Sequence, residues 1–435
     1  MRRTLLCCAA LTAFAVPARA EPTITSTEMF IRLTVRPMAA PKPALRYRLL
    51  PELREMSPGN PIPNYLKCML DQDFSSDREA LGRAALLQAD RAARLDRPDW
   101  QILLKAKTDG ISLLLPDVQK VRGLAAALQE RFREENASGR LDDSARTAKT
   151  MFAMSRHMGE HPTLIGGLVG LAIANVALAP LEEMLEQPGC PNLYWALTDL
   201  PNPLVSLDRG MDGERLLIGA ELRDLDDHAP MSTERINKLV AHINKLRELD
   251  QKDKGTRAWL DARNKDEKVL RAARQRLVEA GYPEERLTRF PADQVLLLDE
   301  KLAYEAARDE AMKLMKLPPW QIEPLAAKVP PMGKDRLFEF LVPALNKVRR
   351  AQGRLEQRVG LLRCVEALRL YAAAHDGKLP ARLSDCGVPL PADPFTNKPF
   401  RYETDGDSAH LRGTPPPGEA KNPAYNVHYH ITVRK

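Results

Sequence analysis

An eighteen-residue apolar run, Leu164 to Leu181, constrains this chain more than any other segment, because only two environments accept it. Its one strongly polar member is Asn175 and it carries a Gly166-xxx-Gly170 pair, so length and spacing suit a bilayer-spanning helix. The flanks point the other way. No Lys or Arg lies between Pro180 and Asp208, where Glu182, Glu183 and Glu186 stand instead, while Arg146, Lys149 and Arg156 precede the run. With an N-terminal leader setting the orientation, that is the reverse of the positive-inside pattern. Gly166, Gly167, Gly170, Ala172, Ala174 and Ala177 equally let a helix pack closely inside a protein. The expectation is a buried core helix and no membrane span.

The leader is read from the first twenty residues. Arg2 and Arg3 precede an apolar stretch, Leu5 to Val16, and Ala18-Arg19-Ala20 supplies small residues before Glu21-Pro22. This is the pattern of a secretory signal peptide cleaved between Ala20 and Glu21. The stretch is shorter than the roughly 18–20 apolar residues of a membrane helix. Cys7 and Cys8 lack the small preceding residue of a lipidation site. The expected destination is the periplasm or the outside of the cell, as a soluble protein.

Aromatic residues make up 5% of the chain, and Leu, Ala, Arg and Glu are abundant, which favours helices over an all-β fold. Acidic and basic residues interleave, as where Arg271, Arg274 and Arg276 soon meet Glu279, Glu284 and Glu285. Mixed charge of this kind reads as solvated helix faces, and a nucleic-acid partner is not expected. Cys68, Cys190, Cys364 and Cys386 follow the leader; an even count in an oxidising compartment permits two disulfides. Cys364 with Cys386 is the preferred pair, because the chain turns back between them at Asp376-Gly377; buried free thiols are the alternative.

The expected fold is mainly α, a helical bundle or stack of α-solenoid-like hairpins, with a short N-terminal β-hairpin and a small C-terminal α+β module. After the leader (1–20), residues 21–60 hold two β-like runs, Met29 to Val35 and Leu45 to Leu50, around a Pro-rich stretch, forming a hairpin or extended arm. Residues 61–201 are helical, cut by breakers such as Leu115-Pro116, Ser138-Gly139 and His161-Pro162. Residues 202–230 connect, with one strand-like run at Leu216-Leu-Ile; residues 231–335 form a second helical section, opened by Ser232-Thr-Glu. A long helix over about 336–374 and a small sheet complete residues 336–435.

The sharpest chemical motif is His157-Met-Gly-Glu160-His161, an HxxEH. In inverted zinc peptidases, two His four apart bind zinc and the Glu is the general base. Here Ala148, Met151, Phe152, Ser155 and Met158 are expected to form the buried stripe. His157 and His161 then lie on the opposite face with Arg146 and Thr150, and Pro162 pulls His161 out of helical geometry. No catalytic, cofactor or metal site is therefore assigned, with zinc on His157 and His161 and Glu160 as base only the alternative. His428 and His430 share one face of the strand Tyr425 to Val433, with His410 near, and are taken as exposed strand residues. There is no P-loop, GxGxxG, GxSxG, EF-hand or HExxH.

Near the C-terminus, Asp393-Pro-Phe-Thr-Asn-Lys-Pro-Phe-Arg-Tyr402 leads into Asp405-Gly406, a hairpin turn. A long helix, then Asp376-Gly-Lys-Leu-Pro380, then this segment resembles the globular head of type II secretion pseudopilins over about residues 345–413. The start departs from that family, having a cleavable leader where a pseudopilin has a prepilin-peptidase site and an unbroken apolar helix. The chain as a whole resembles an uncharacterised family of exported, mostly helical bacterial proteins. Its matching stretches are His161-Pro-Thr-Leu-Ile-Gly166, Pro188-Gly-Cys-Pro-Asn-Leu-Tyr-Trp-Ala-Leu197 and Leu362-Arg-Cys-Val-Glu-Ala-Leu-Arg-Leu-Tyr371. That resemblance implies export and helical architecture and carries no activity. The functional expectation is a non-enzymatic protein-interaction or scaffold protein with a protein or peptide partner; the alternative is the metal-dependent hydrolase of the HxxEH stretch.

Overall fold

The structure, a computed structural model, describes residues 23–24, 27–68, 83–248, 255–329, 332–333, 335–342 and 344–434. The leader, with Ala20 and Glu21, lies outside them. Among the described residues the chain is mainly helical. The helices are α1 (Ile62–Lys67), α2 (Arg83–Ala92), α3 (Leu103–Asp109), α4 (Pro116–Ala137), α5 (Leu141–Gly159), α6 (Leu164–Leu185), α7 (Tyr194–Thr198) and α8 (Asp208–Glu221). Beyond these come α9 (Thr233–Glu248), α10 (Thr256–Asn264), α11 (Glu267–Glu279), α12 (Glu284–Leu287), α13 (Ala292–Leu314), α14 (Pro319–Ala326) and α15 (Leu345–Ala374). Five strands form one sheet: β1 (Thr23–Ile24), β2 (Met29–Val35), β3 (Arg401–Asp405), β4 (Ser408–Arg412) and β5 (Val427–Val433), in the order β1-β2-β5-β4-β3.

The apolar run is the centre of the molecule. α6 packs against α4, α5, α8, α15 and β2, and 83% of its most apolar window is buried. Thr163 caps its start, its Oγ1 accepting from the Gly166 amide at 3.2 Å. Glycine does the work the sequence suggests: a Cβ on Gly170 would stand 2.7 Å from the Ser155 carbonyl of α5. Pro180 sits inside the helix and offers no amide to the Val176 carbonyl one turn back. Gln129 of α4 replaces it, donating from Nε2 to Val176 O at 3.1 Å, while Asn136 Nδ2 donates to Pro180 O at 2.8 Å. A proline that would break an isolated helix is thus tolerated because a neighbour satisfies the freed acceptor.

Two apolar cores make up the interior, and this helix belongs to the first. The first takes residues from both ends of the chain: Ile31, Leu33 and Val35 of β2, most of α4 to α6, α15, and Tyr429 and Ile431 of β5. The second lies within residues 218–341, from Ile218 and Ile243 to Leu297 and Phe338. α8 spans both, with Met211 in the first and Ile218 in the second.

Three expectations are corrected here. Met29 to Val35 is a strand, yet Leu45 to Leu50 is not, so residues 21–60 form no hairpin from those two runs. Instead β2 lies inside the sheet, antiparallel to β1 and parallel to β5, with Ile31 opposite Tyr429 and Val35 opposite Val433. The N-terminal arm and the C-terminal module are therefore one sheet, which no local pattern announces. Leu216-Leu-Ile is helical, the end of α8, and the long helix starts at Leu345, not at 336.

Candidate functional site

The HxxEH stretch is taken apart by its surroundings. α5 ends at Gly159, so His161 is outside helical geometry, as Pro162 implies. Both rings are buried, correcting the expectation of an outward face: α5 is enclosed nearly all round, and Thr150 is buried with His157 and His161. His157 Nδ1 lies 3.0 Å from the Tyr65 hydroxyl, and its carbonyl accepts from Trp100 Nε1 at 3.2 Å. His161 Nδ1 lies 2.9 Å from Thr163 Oγ1, with the ring edge-on to Trp100 at 4.6 Å between centroids. Burial, helped at His157 by the Arg156 charge, pulls both imidazoles down to about 4. Glu160 faces solvent instead, 3.6 Å from Arg209. The two imidazoles are thus spent on separate core hydrogen bonds, and the carboxylate meant to act between them points away.

Other buried charges are likewise paired. Arg358 of α15 grips Glu182 of α6 through two bonds of 2.9 and 2.8 Å, and the Tyr429 hydroxyl of β5 donates to the same carboxylate. Arg369 bonds Glu366 at 2.7 Å and reaches the Cys190 and Arg36 carbonyls, tying α15 to distant loops. In the C-terminal module Asp393 accepts from the Phe395 and Thr414 amides and from Gln357 Nε2.

All four described cysteines are buried free thiols. Burial pushes Cys68 up to about 11 and Cys190 and Cys386 up to about 12. Burial and then the neighbouring Cys386 raise Cys364 as well, which places those two thiols in one electrostatic environment.

Sequence reasoning passes over a polar cleft at the junction of the two cores. The Glu221 carboxylate is buried; its Oε1 accepts from the Ile111 amide at 2.5 Å and its Oε2 stands 2.7 Å from His242 Nε2. Thr108, Asp109, Ser112 and Asp224 complete the lining, and Arg223 donates to the Lys107 carbonyl at 3.0 Å, closing the end of α3. Glu221 and His242 belong to different helices, so nothing in the local sequence pairs them. Exposed apolar side chains occur nearby in the chain: Leu104 is 75% exposed and Leu114 is 84% exposed, with Leu103, Lys105 and Lys107 also exposed.

The outward face of the sheet gathers three of the chain's eight histidines. His428 and His430 alternate along β5, and His410 of β4 is opposite His430. Their rings touch, contrary to the reading of them as separate exposed residues: His410 Nδ1 is 2.8 Å from His428 Nε2, and the His410 and His430 rings stack at 4.8 Å. His428 is buried. As the side chains stand, no group of three or more His, Cys, Asp or Glu among the described residues could hold a metal ion.

No protein-family model, curated protein or solved structure matches the chain.

Proposed function

We propose that this is an exported, mainly helical protein that works by binding another protein, without catalysis of its own. The observation that carries the reading is the exposed leucine surface of α3 and the turn after it, Leu103, Leu104 and Leu114. Three large apolar side chains left exposed so close together in the chain suit a surface that a partner covers. Lys105 and Lys107 on the same helix favour a partner whose apolar patch is edged by acidic residues. The leader-like residues 1–20 support export, and the helix-and-sheet module at the C-terminus is suited to docking on a larger assembly in the manner of the pseudopilin heads it resembles.

The hydrolase alternative loses its support to the burial of His157 and His161 and the outward turn of Glu160. The test is cross-linking in the producing cells, comparing the natural chain with a Leu104→Asp, Leu114→Asp variant. A discrete partner adduct lost in the variant, on a chain starting at Glu21, supports the reading. Equal adducts from both chains, or none from either, refute it.

A further inference from the structure

We propose that His410, His428 and His430 form a binding site for one divalent transition-metal ion of the zinc class. The sheet sets the positions. Two histidines alternate on β5, so both project from the same face. The third is directly across on β4, where cross-strand Cβ atoms are about 4.5–5.5 Å apart. Three imidazoles so placed crowd one patch of the sheet, with His410 in contact with both of the others, and three His ligands with an open fourth position make a usual tetrahedral zinc site.

The distances show how small the adjustment is. Nitrogens bound to one tetrahedral ion at about 2.0–2.1 Å are roughly 3.3–3.4 Å apart. His410 Nδ1 and His428 Nε2 already face each other at 2.8 Å in a hydrogen bond, so admitting the ion takes an opening of about half an ångström together with a turn of both rings that aims their lone pairs at one point. Both facing nitrogens must then be bare. The proton they share moves to the far nitrogen of its own ring, and both imidazoles stay neutral.

For His428 that far nitrogen is Nδ1, a buried atom with no hydrogen-bond partner among the described residues. Glu28 Oε2 lies 3.6 Å from it, longer than a hydrogen bond but near enough to accept the outer N–H of a metal-bound imidazole after a small shift. Glu28 is thus a positioning residue.

The surroundings also select the ion. Arg412, 3.8 Å from Glu403, and Arg32, paired with His430 across β2 and β5, oppose any cation. A hard cation held by charge alone is disfavoured; an ion with strong affinity for imidazole nitrogen is not.

The experiment titrates the full chain with Co2+, read by the visible absorption of a tetrahedral complex, and then displaces it with Zn2+. One equivalent is expected, lost in His410→Ala and in His430→Ala, both half-exposed positions whose folding is verified by circular dichroism. Glu28→Gln should weaken binding about 10- to 100-fold, and His242→Ala should leave it unchanged. Binding that survives both His410→Ala and His430→Ala, or no saturable binding by the natural chain, overturns the proposal.

Discussion

The two cores of this molecule are made by different means. The second is a continuous stretch of chain in which apolar residues at helical spacing find neighbours nearby in sequence, and its buried carboxylates Asp299 and Glu300 are met by arginines of the same stretch. Arg276 and Arg336 there bracket Asp299, and Arg336 also holds Glu300, at 2.7 to 2.9 Å. The first is closed by pairings between residues hundreds of positions apart, β2 with β5 and α6 with α15, and it buries its charges. Where chain ends must meet, the buried polar pairs join elements remote in sequence; where helices follow one another, the buried polar pairs stay within the stretch.

Breaking the Glu182–Arg358 pair is the strongest test of that contrast. Arg358→Ala strands a buried carboxylate, and the loss of one partner of such a pair costs about 3–5 kcal/mol. The expected result is a large fall in the denaturation midpoint reported by Trp100 and Trp195, with a smaller change at Trp259 of the second core. A fall shared equally by all three would show that the cores unfold as one. The complementary change is Leu297→Ala, a fully buried side chain of the second core, for which cavity formation predicts about 2–5 kcal/mol. Here Trp259 should report the larger shift.

Oxidation sharpens the comparison further. Every described cysteine belongs to the first core, and none lies within residues 218–341. An oxidising compartment should join the thiols of Cys364 and Cys386, free in this structure, closing a loop of about twenty residues worth roughly 3 kcal/mol. Thiol counting on denatured protein from an oxidising compartment should find two fewer free thiols than on reduced protein. Reduction should then lower the first core's midpoint alone; an unchanged thiol count would refute the pairing.

The smallest effect comes from acid. His157 and His161 titrate near 4 when folded and near 6.5 when unfolded, so the unfolded chain binds more protons between those values. Their contribution is intact above pH 6.5, declines as pH falls, and is gone below about 4. At about 1.4 kcal/mol for each pH unit separating the two values, each ring contributes at most about 3 kcal/mol. Glu135, Glu183 and Glu366, raised chiefly by burial, work in the opposite sense. His161→Gln isolates the histidine part: its midpoint should fall less steeply from pH 6.5 to 4 than that of the natural chain. Parallel slopes would show that the ring is not protonated on unfolding.

Much of the fold is legible from residue pattern alone. The apolar run, its small residues and its acidic flank describe a buried helix without reference to any neighbour, and breakers such as Ser138-Gly139 and His161-Pro162 fall where helices end. Where pattern fails, the missing partner is remote. Hydropathy ranks Thr150 and His157 as polar and so confines the buried stripe of α5 to one face, whereas Tyr65, Trp100 and Asp90 bring hydrogen bonds that make their burial tolerable. Glu221 with His242, and His410 with His428, are pairs whose members are individually ordinary.

By itself, then, the sequence determined the helical class, the central place of α6 and the turns that bound most helices, because these depend on propensity and on apolar spacing within a few residues. Only the tertiary structure decided that the chain's two ends share one sheet, that the HxxEH imidazoles are packing groups, and that three histidines meet on β4 and β5. Those outcomes depend on which distant surfaces come together, and a residue's chemistry follows from the neighbour it acquires there.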